Sequence, residues 1–252
     1  MPENISKQMP FSVLNPDGDP AVLLVCDHAS NFVPPEYNSL GLPAEAFSRH
    51  IAYDIGAASV TAELSRILNA PAVLAGFSRL LIDTNRGVDD PTLVMKLSDG
   101  AIIPGNRYAD AATIADRVAR YYKPYHQAIA DRIAAARARG IAPAILSLHS
   151  FTPVFQSYAR PWHIGILWDR DGRIAQPLLA SLGADKHLCV GDNLPYSGEL
   201  VGDCMFQHGT SNGLPHVLIE VRQDLIVDKS GAEHWAELLA AHLRPILEAI
   251  ER

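Results

Sequence analysis

The stretch AVLLVCDHASN, residues 21–31, decides how the rest of the chain is read. Residues 21–26 form a continuous apolar run without alternation, the pattern of a strand covered on both faces. The run passes directly into Asp27 and His28. A charged group at the end of a buried strand is costly unless it is paired or bound. The stretch therefore calls for a partner elsewhere in the sequence.

Similar short runs recur at residues 72–75, 80–83, 144–149, 164–168, 187–190 and 216–221. Helical patterns lie between them at 54–68, 110–139, 174–182 and 232–251, and Pro124 is expected to break or kink the second. Strands alternating with helices predict an α/β layer architecture. The expectation is a single three-layer domain over residues 1–252, with a mixed, mostly parallel sheet and helices on both faces. No repeat or low-complexity tract divides it. Residues 86–108 and 193–214 fit neither period, and long irregular segments in a compact domain are read as functional loops.

Composition narrows the function classes. Among 252 residues, 48% are hydrophobic and 19% charged, which suits a soluble protein with a sizeable core. A formal net charge of −7 argues against a dedicated nucleic-acid binder. The basic cluster at 132–139 is interleaved with alanines and reads as a solvated helix face. The cysteines Cys26, Cys189 and Cys204 form neither a metal knuckle nor a disulfide framework. MPENISKQMP at the start lacks the pattern of a signal peptide, and no run reaches the length of a membrane helix. These features predict a reduced, cytoplasmic setting; oligomeric state is not readable.

Four polar clusters close the predicted strands: Asp27-His28, Asp83-Thr84-Asn85-Arg86, His149-Ser150 and Glu220-Val221-Arg222. Carboxyl ends of strands open into the crevice where ligands bind in α/β sheets. Each cluster alone is weak, and a single histidine at a strand end reads more readily as a hydrogen-bonded structural residue; four clusters following one rule point to a site. Histidine with carboxylate suits Zn²⁺. His28 and His149 are the natural ligands, Asp54 is the candidate third, and Asp27 is placed to orient an imidazole. Glu220 remains as general base. Arg79, Arg86 and Arg222 offer a carboxylate clamp or oxyanion support, against the alternative that Arg79 and Arg86 pair with Asp83 or Asp89. Other templates fit less well. GTSNG, residues 209–213, lacks the strand-to-helix context of a nucleophile elbow and reads as a turn. His50 and the segment YYKPYH, residues 121–126, read as structural.

The segments CDHASNFVP, HIAYDIGA, SRLLIDTNR, LSLHSF, NLPYSG and IEVRQDL occur in one order over residues 21–225. Together they resemble the N-formylglutamate amidohydrolase family, whose fold is zinc-exopeptidase-like. That resemblance implies a metal-dependent amidohydrolase acting on a small N-acyl amino acid. His28 and His149 match the family's metal histidines, and Glu220, with Arg222 beside it, its late glutamate. Asp83, Asn85 and Arg86 match a motif that holds substrate carboxylate, Tyr196 of NLPYSG is a further candidate substrate contact, and Arg79 resembles the arginine that polarises the scissile carbonyl.

There are two departures. Relatives with an H-x-x-E pair place a carboxylate where this chain has Asn31, so the third ligand stays open among Asp54, Asn31 and Asp27. The loop after Pro195 reads PYSGELVGD rather than PYSGGYI, which bears on specificity. Mn²⁺ and Co²⁺ suit the same donors. A peptidoglycan amidase-like hydrolase and a metal-independent sensor of an acidic metabolite are the alternative functions.

Overall fold

The computed structural model describes residues 9–250. Seven strands form its central sheet: Phe11–Leu14 (β1), Val22–Cys26 (β2), Ala72–Ala75 (β3), Ala144–Phe151 (β4), Ile164–Leu167 (β5), Val190–Asp192 (β6) and His216–Arg222 (β7). Their order is β1-β3-β2-β4-β7-β5-β6. The four central strands β3, β2, β4 and β7 run parallel to one another. β1 is antiparallel to β3 at one edge, and β5 is antiparallel to β7 on the other side. This is the mixed, mostly parallel α/β sheet that the alternation of runs implies.

Both faces are covered. Helices Ala57–Leu68 (α1), Gly172–Gly183 (α3) and Lys229–Ile250 (α5) pack Leu64, Leu178 and Leu239 against Leu24, Leu146 and Ile219. Helices Lys123–Ala138 (α2) and Cys204–His208 (α4) pack Tyr125, Ile129 and Met205 against Leu23, Val25, Ile145 and Leu218. Each fully buried aliphatic side chain of this kind contributes about 1.5–3 kcal/mol by leaving water. Every residue of β2 and β4 is buried, which explains why neither alternates. Among the described residues, no helix is long and apolar enough to cross a membrane.

Several expected boundaries shift. Residues 80–83 are not a strand: Leu80, Leu81 and Ile82 are buried, but in a separate cluster with Phe77, Ile103 and Tyr121. The Leu80 and Leu81 carbonyls are satisfied by side chains instead of a ladder, while the Leu81 N–H donates to the Ser78 carbonyl at 2.9 Å. Asn106 Nδ2 donates to the Leu80 carbonyl at 2.8 Å and Arg117 Nη1 to the Leu81 carbonyl at 2.9 Å. An apolar run reports burial and leaves open what its amides bond to, hence the error. The strand expected at 187–190 is Val190–Asp192, and β1 was not anticipated.

The helix expected from residue 54 begins at Ala57, after Gly56 turns the chain at φ 83°. A Cβ at Gly56 would overlap the Ile226 carbonyl. The 110–139 helix is interrupted as Pro124 predicts: Ala111–Arg117 is followed by a π turn over Val118–Tyr122, and Pro124 sits in the first turn of α2. The C-terminal helix expected at 232–251 begins earlier, at Lys229. Its last expected residue, Glu251, and most of MPENISKQMP lie outside the described residues. GTSNG is a turn, a short 3₁₀ segment Thr210–Asn212 closed by Gly213 at φ 65°.

Candidate functional site

The carboxyl ends of the parallel strands converge. β2 delivers Asp27 and His28 just beyond Cys26, and β4 delivers His149. β7 delivers Glu220, which stands opposite His149 in the ladder register. Asp54 reaches the same point because its backbone N–H donates to the His28 carbonyl at 3.0 Å.

The Asp54 carboxylate lies between two imidazoles. Its Oδ2 is 3.3 Å from His28 Nδ1 and 2.8 Å from His149 Nδ1. The opposite ring nitrogens are held from behind: His28 Nε2 lies 2.6 Å from Asp83 Oδ1, and His149 Nε2 lies 3.1 Å from Asp27 Oδ2. The rings meet edge to face with centroids 4.9 Å apart. When each Nε2–H donates to its carboxylate, each Nδ1 is left with a lone pair aimed at Asp54, the arrangement by which carboxylates orient metal-binding histidines.

One ligand atom from each of His28, Asp54 and His149 lies within 4.8 Å of the other two, and all three residues are buried. Two imidazoles and a carboxylate with a position left over form a donor set that fits a catalytic divalent ion. Asn31 is exposed and does not line the cavity over this group, and its Nδ2 donates to the Phe47 carbonyl at 2.7 Å. Asp27 stands on the far side of His149, where it also accepts from Tyr125 Oη at 3.0 Å and Ser147 Oγ at 3.2 Å.

The charges are tightly coupled. Burial opposes ionisation of Asp54, yet the flanking histidines hold its carboxyl below the usual range. Burial likewise opposes ionisation of Asp83, while Arg79 and His28 hold it well below. His149 is buried too, but hydrogen bonds to Asp27 and Asp54 hold its imidazole well above an ordinary histidine. Glu220 differs from the other acids. Burial pushes it up to about 7, and its Oε2 has no hydrogen-bond partner among the described residues. An orphaned buried carboxylate oxygen costs stability, and this residue lines the cavity with the three ligand residues.

A cavity of about 240 Å³ opens over the cluster, lined by His28, Asp54, His149, Glu220, Arg79, Asn85, Arg86 and Tyr196 among others. Its size suits a small molecule. Arg79 donates to Asp83 Oδ2 at 2.9 Å and approaches Asp54 Oδ1 at 3.4 Å, so the ion pair with Asp83 anticipated for it exists alongside its exposure to the cavity. Asn85 Oδ1 accepts from the Cys204 backbone N–H at 3.1 Å, and its Nδ2 makes no hydrogen bond among the described residues. Arg86 bonds Thr92 Oγ1 and its neighbour's carbonyl, without a carboxylate partner among the described residues.

Two expected contacts are corrected. Asp83 does not line the cavity; it is fully buried, with Oδ1 on His28 and the Asn85 N–H and Oδ2 on Arg79. It supports the histidine and lies out of reach of a substrate. Arg222 also lies away from the cavity, because its guanidinium bonds Asp224 at 2.8 Å and the carbonyls of Arg160 and Trp162. It stands two residues beyond Glu220, at the last position of β7, where the chain leaves the sheet.

Sequence reasoning missed two residues, Asp203 and Arg160, and preferred a structural role for a third that could face the site. His50, read as structural, lines the cavity and approaches Asp99 at 3.6 Å. Asp203 also lines it; burial pushes its carboxyl up to about 7, while Oδ1 caps α4 through the Phe206 N–H. An aspartate before a helix after a glycine-rich loop signals a cap, and nothing in the pattern adds a cavity. Arg160 is buried behind the cavity walls Phe151, Thr152 and Tyr196. Its guanidinium lies 5.0 Å from the Tyr196 ring centroid and 4.9 Å from that of Phe155, with no carboxylate partner among the described residues. The loop carrying Tyr196 closes on the sheet at Gly165, where a Cβ would overlap the Leu194 carbonyl.

Comparison with known proteins places this geometry in context. Residues 20–227 match the family model described as N-formylglutamate amidohydrolase. A solved gene product of Agrobacterium tumefaciens is 36% identical, with 97% of each chain covered and a TM-score of 0.92. An N-formylglutamate amidohydrolase from Ralstonia eutropha JMP134 shares the fold at 22% identity, with a TM-score of 0.68 over 95% of this chain and 97% of that one. Among curated proteins nothing matches.

Proposed function

The chain belongs to the N-formylglutamate amidohydrolase family, and from that membership we propose that it is a metal-dependent amidohydrolase cleaving a small N-acyl amino acid such as N-formylglutamate. The observation that carries this reading is that Glu220, whose Oε2 has no partner among the described residues, lines the same cavity as three convergent ligand atoms. His28, His149 and Asp54 would hold the ion through Nδ1, Nδ1 and a carboxylate oxygen. A divalent ion there supplies Lewis-acid polarisation of the scissile carbonyl and lowers the pKa of the attacking water. Zn²⁺ fits this donor set best.

The protein's own groups account for the remaining steps. Glu220 takes the proton of the attacking water and passes it to the departing amine. Its raised affinity for protons suits both halves of that transfer. Arg79, fixed between Asp54 and Asp83, presents a charge that does not have to reorganise as the tetrahedral oxyanion forms. Asn85 and Arg86 hold the substrate's carboxylate, with Tyr196 closing the other wall. Arg160, a buried cation caged by rings, adds positive potential behind that wall.

The test is hydrolysis of N-formyl and N-acetyl amino acids by the purified protein, with and without chelator. Release of free amino acid that is abolished in Glu220→Gln with bound metal retained supports the reading. A metal-free protein that binds N-acylglutamate without turning it over would instead be the sensor.

A further inference from the structure

On the other face of the sheet from α1, a second group of ligand atoms stands apart from the cavity. His126 comes from α2, and Cys204 and His208 come from α4. All three are buried, and one ligand atom from each lies within 4.8 Å of the other two. Cys204 and His208 are four residues apart, which puts them on one side of the helix, one turn from each other. His126 Nδ1 and His208 Nε2 face each other at 2.9 Å. The far nitrogen of His126, Nε2, lies 3.0 Å from the Thr84 carbonyl.

That last contact fixes the chemistry. A carbonyl only accepts, so the His126 proton resides on Nε2 and Nδ1 carries a lone pair directed at His208. The backbone bond to Thr84 is of the kind that orients metal-binding imidazoles. Only the proton on His208 Nε2 and the thiol proton of Cys204 separate this cluster from a ligand set. We propose that His126, Cys204 and His208 form a second, structural metal site that takes a borderline-soft cation, Zn²⁺ or Co²⁺.

Two imidazoles and a thiolate select such ions and reject Mg²⁺ and Ca²⁺, which require oxygen. Binding converts the Cys204 S–H to a sulfur–metal bond and moves the His208 ring proton to Nδ1, so one proton leaves to solvent. The thiol lies against the Asp27 carboxylate, and burial with that neighbour keeps it protonated in the metal-free protein. The ion's charge offsets the repulsion that a bare thiolate would meet there. Entry is from outside: His208 lines a surface recess with Ala134, Arg137 and Asn212, distinct from the catalytic cavity.

The site has a mechanical consequence. His126 holds the Thr84 carbonyl, and the Cys204 N–H holds the Asn85 side chain. An ion joining α2 to α4 would lock the segment that presents Asn85 and Arg86 to the cavity. It needs no assumption about the catalytic reaction.

The experiment strips the full-length protein with chelator and reloads it with Co²⁺, recording stoichiometry and thiolate-to-cobalt charge-transfer absorption. The expected result is a second equivalent of bound metal with a charge-transfer band. His28→Ala should lose one equivalent and keep the band; Cys204→Ser should lose one equivalent and the band together. Wild-type protein that shows no thiolate band, or a band that survives Cys204→Ser, overturns the proposal. Should Cys204→Ser fail to fold, the wild-type band and its retention in His28→Ala still decide the matter.

Discussion

Glu220 and His149 are direct register partners on the adjacent parallel strands β7 and β4, yet no hydrogen bond among the described residues satisfies Glu220 Oε2. His149 gives its two nitrogens to Asp54 and Asp27. The carboxylate beside it is left free to act on a third body. Glu220→Gln is nearly isosteric and removes only the base. It should lower kcat on the order of 10²- to 10⁴-fold, with bound metal and KM little changed. Loss of metal from this variant, read by elemental analysis, would show a ligand in place of a base.

Glu220 also sets a pH dependence. Burial raises its carboxyl from 4.5 to about 7 in the metal-free protein. Between those values the folded state binds the proton that the unfolded state has released. The contribution to stability is therefore complete below pH 4.5 and is lost as pH rises through 7. Urea unfolding of chelated protein should show this slope, and Glu220→Gln should flatten it. In the loaded enzyme a bound cation draws the same group downward, so the acid limb of kcat/KM falls below pH 7.

Much of this site is legible in the chain. AVLLVCDH announces a buried strand ending in charge, and IEVR and LSLHS announce two more. The ends of parallel strands meet by topology, so His28, His149 and Glu220 fall together without further information. What the pattern withholds is the direction of each side chain. Asp83 and Asn85 are two residues apart in a turn, and one goes behind His28 while the other faces the cavity. Leu80–Ile82 carries the hydrophobicity of a strand, but distant Asn106 and Arg117 supply its hydrogen-bond partners. Arg160 and His126 enter only through packing between elements that are far apart in sequence.

Asp83 provides a test of its corrected position. If it orients His28, Asp83→Asn weakens metal binding roughly 10- to 100-fold and restores much of its turnover at saturating metal. A substrate ligand would behave oppositely, with KM raised and metal affinity unchanged. Competition against a chelating dye, run beside steady-state kinetics, separates the two.

Arg160 is buried without a carboxylate partner among the described residues and is caged by Phe155 and Tyr196. Its charge should favour acidic side chains at the far end of the cavity. Arg160→Gln should reduce kcat/KM for N-formylglutamate several-fold, the scale of a charge acting through the Tyr196 wall without direct contact. The value for N-formylglutamine should hold steady. Equal losses on both substrates would assign the arginine to the fold alone.

The central claim is that His28, Asp54 and His149 hold an ion on which hydrolysis depends. Its most direct test is the turnover of N-formyl-L-glutamate before chelation, after chelation, and after return of Zn²⁺. The account predicts hydrolysis that is lost on chelation and restored by Zn²⁺ in wild-type protein, with no restoration in His149→Ala. Undiminished hydrolysis by fully metal-stripped protein would contradict it.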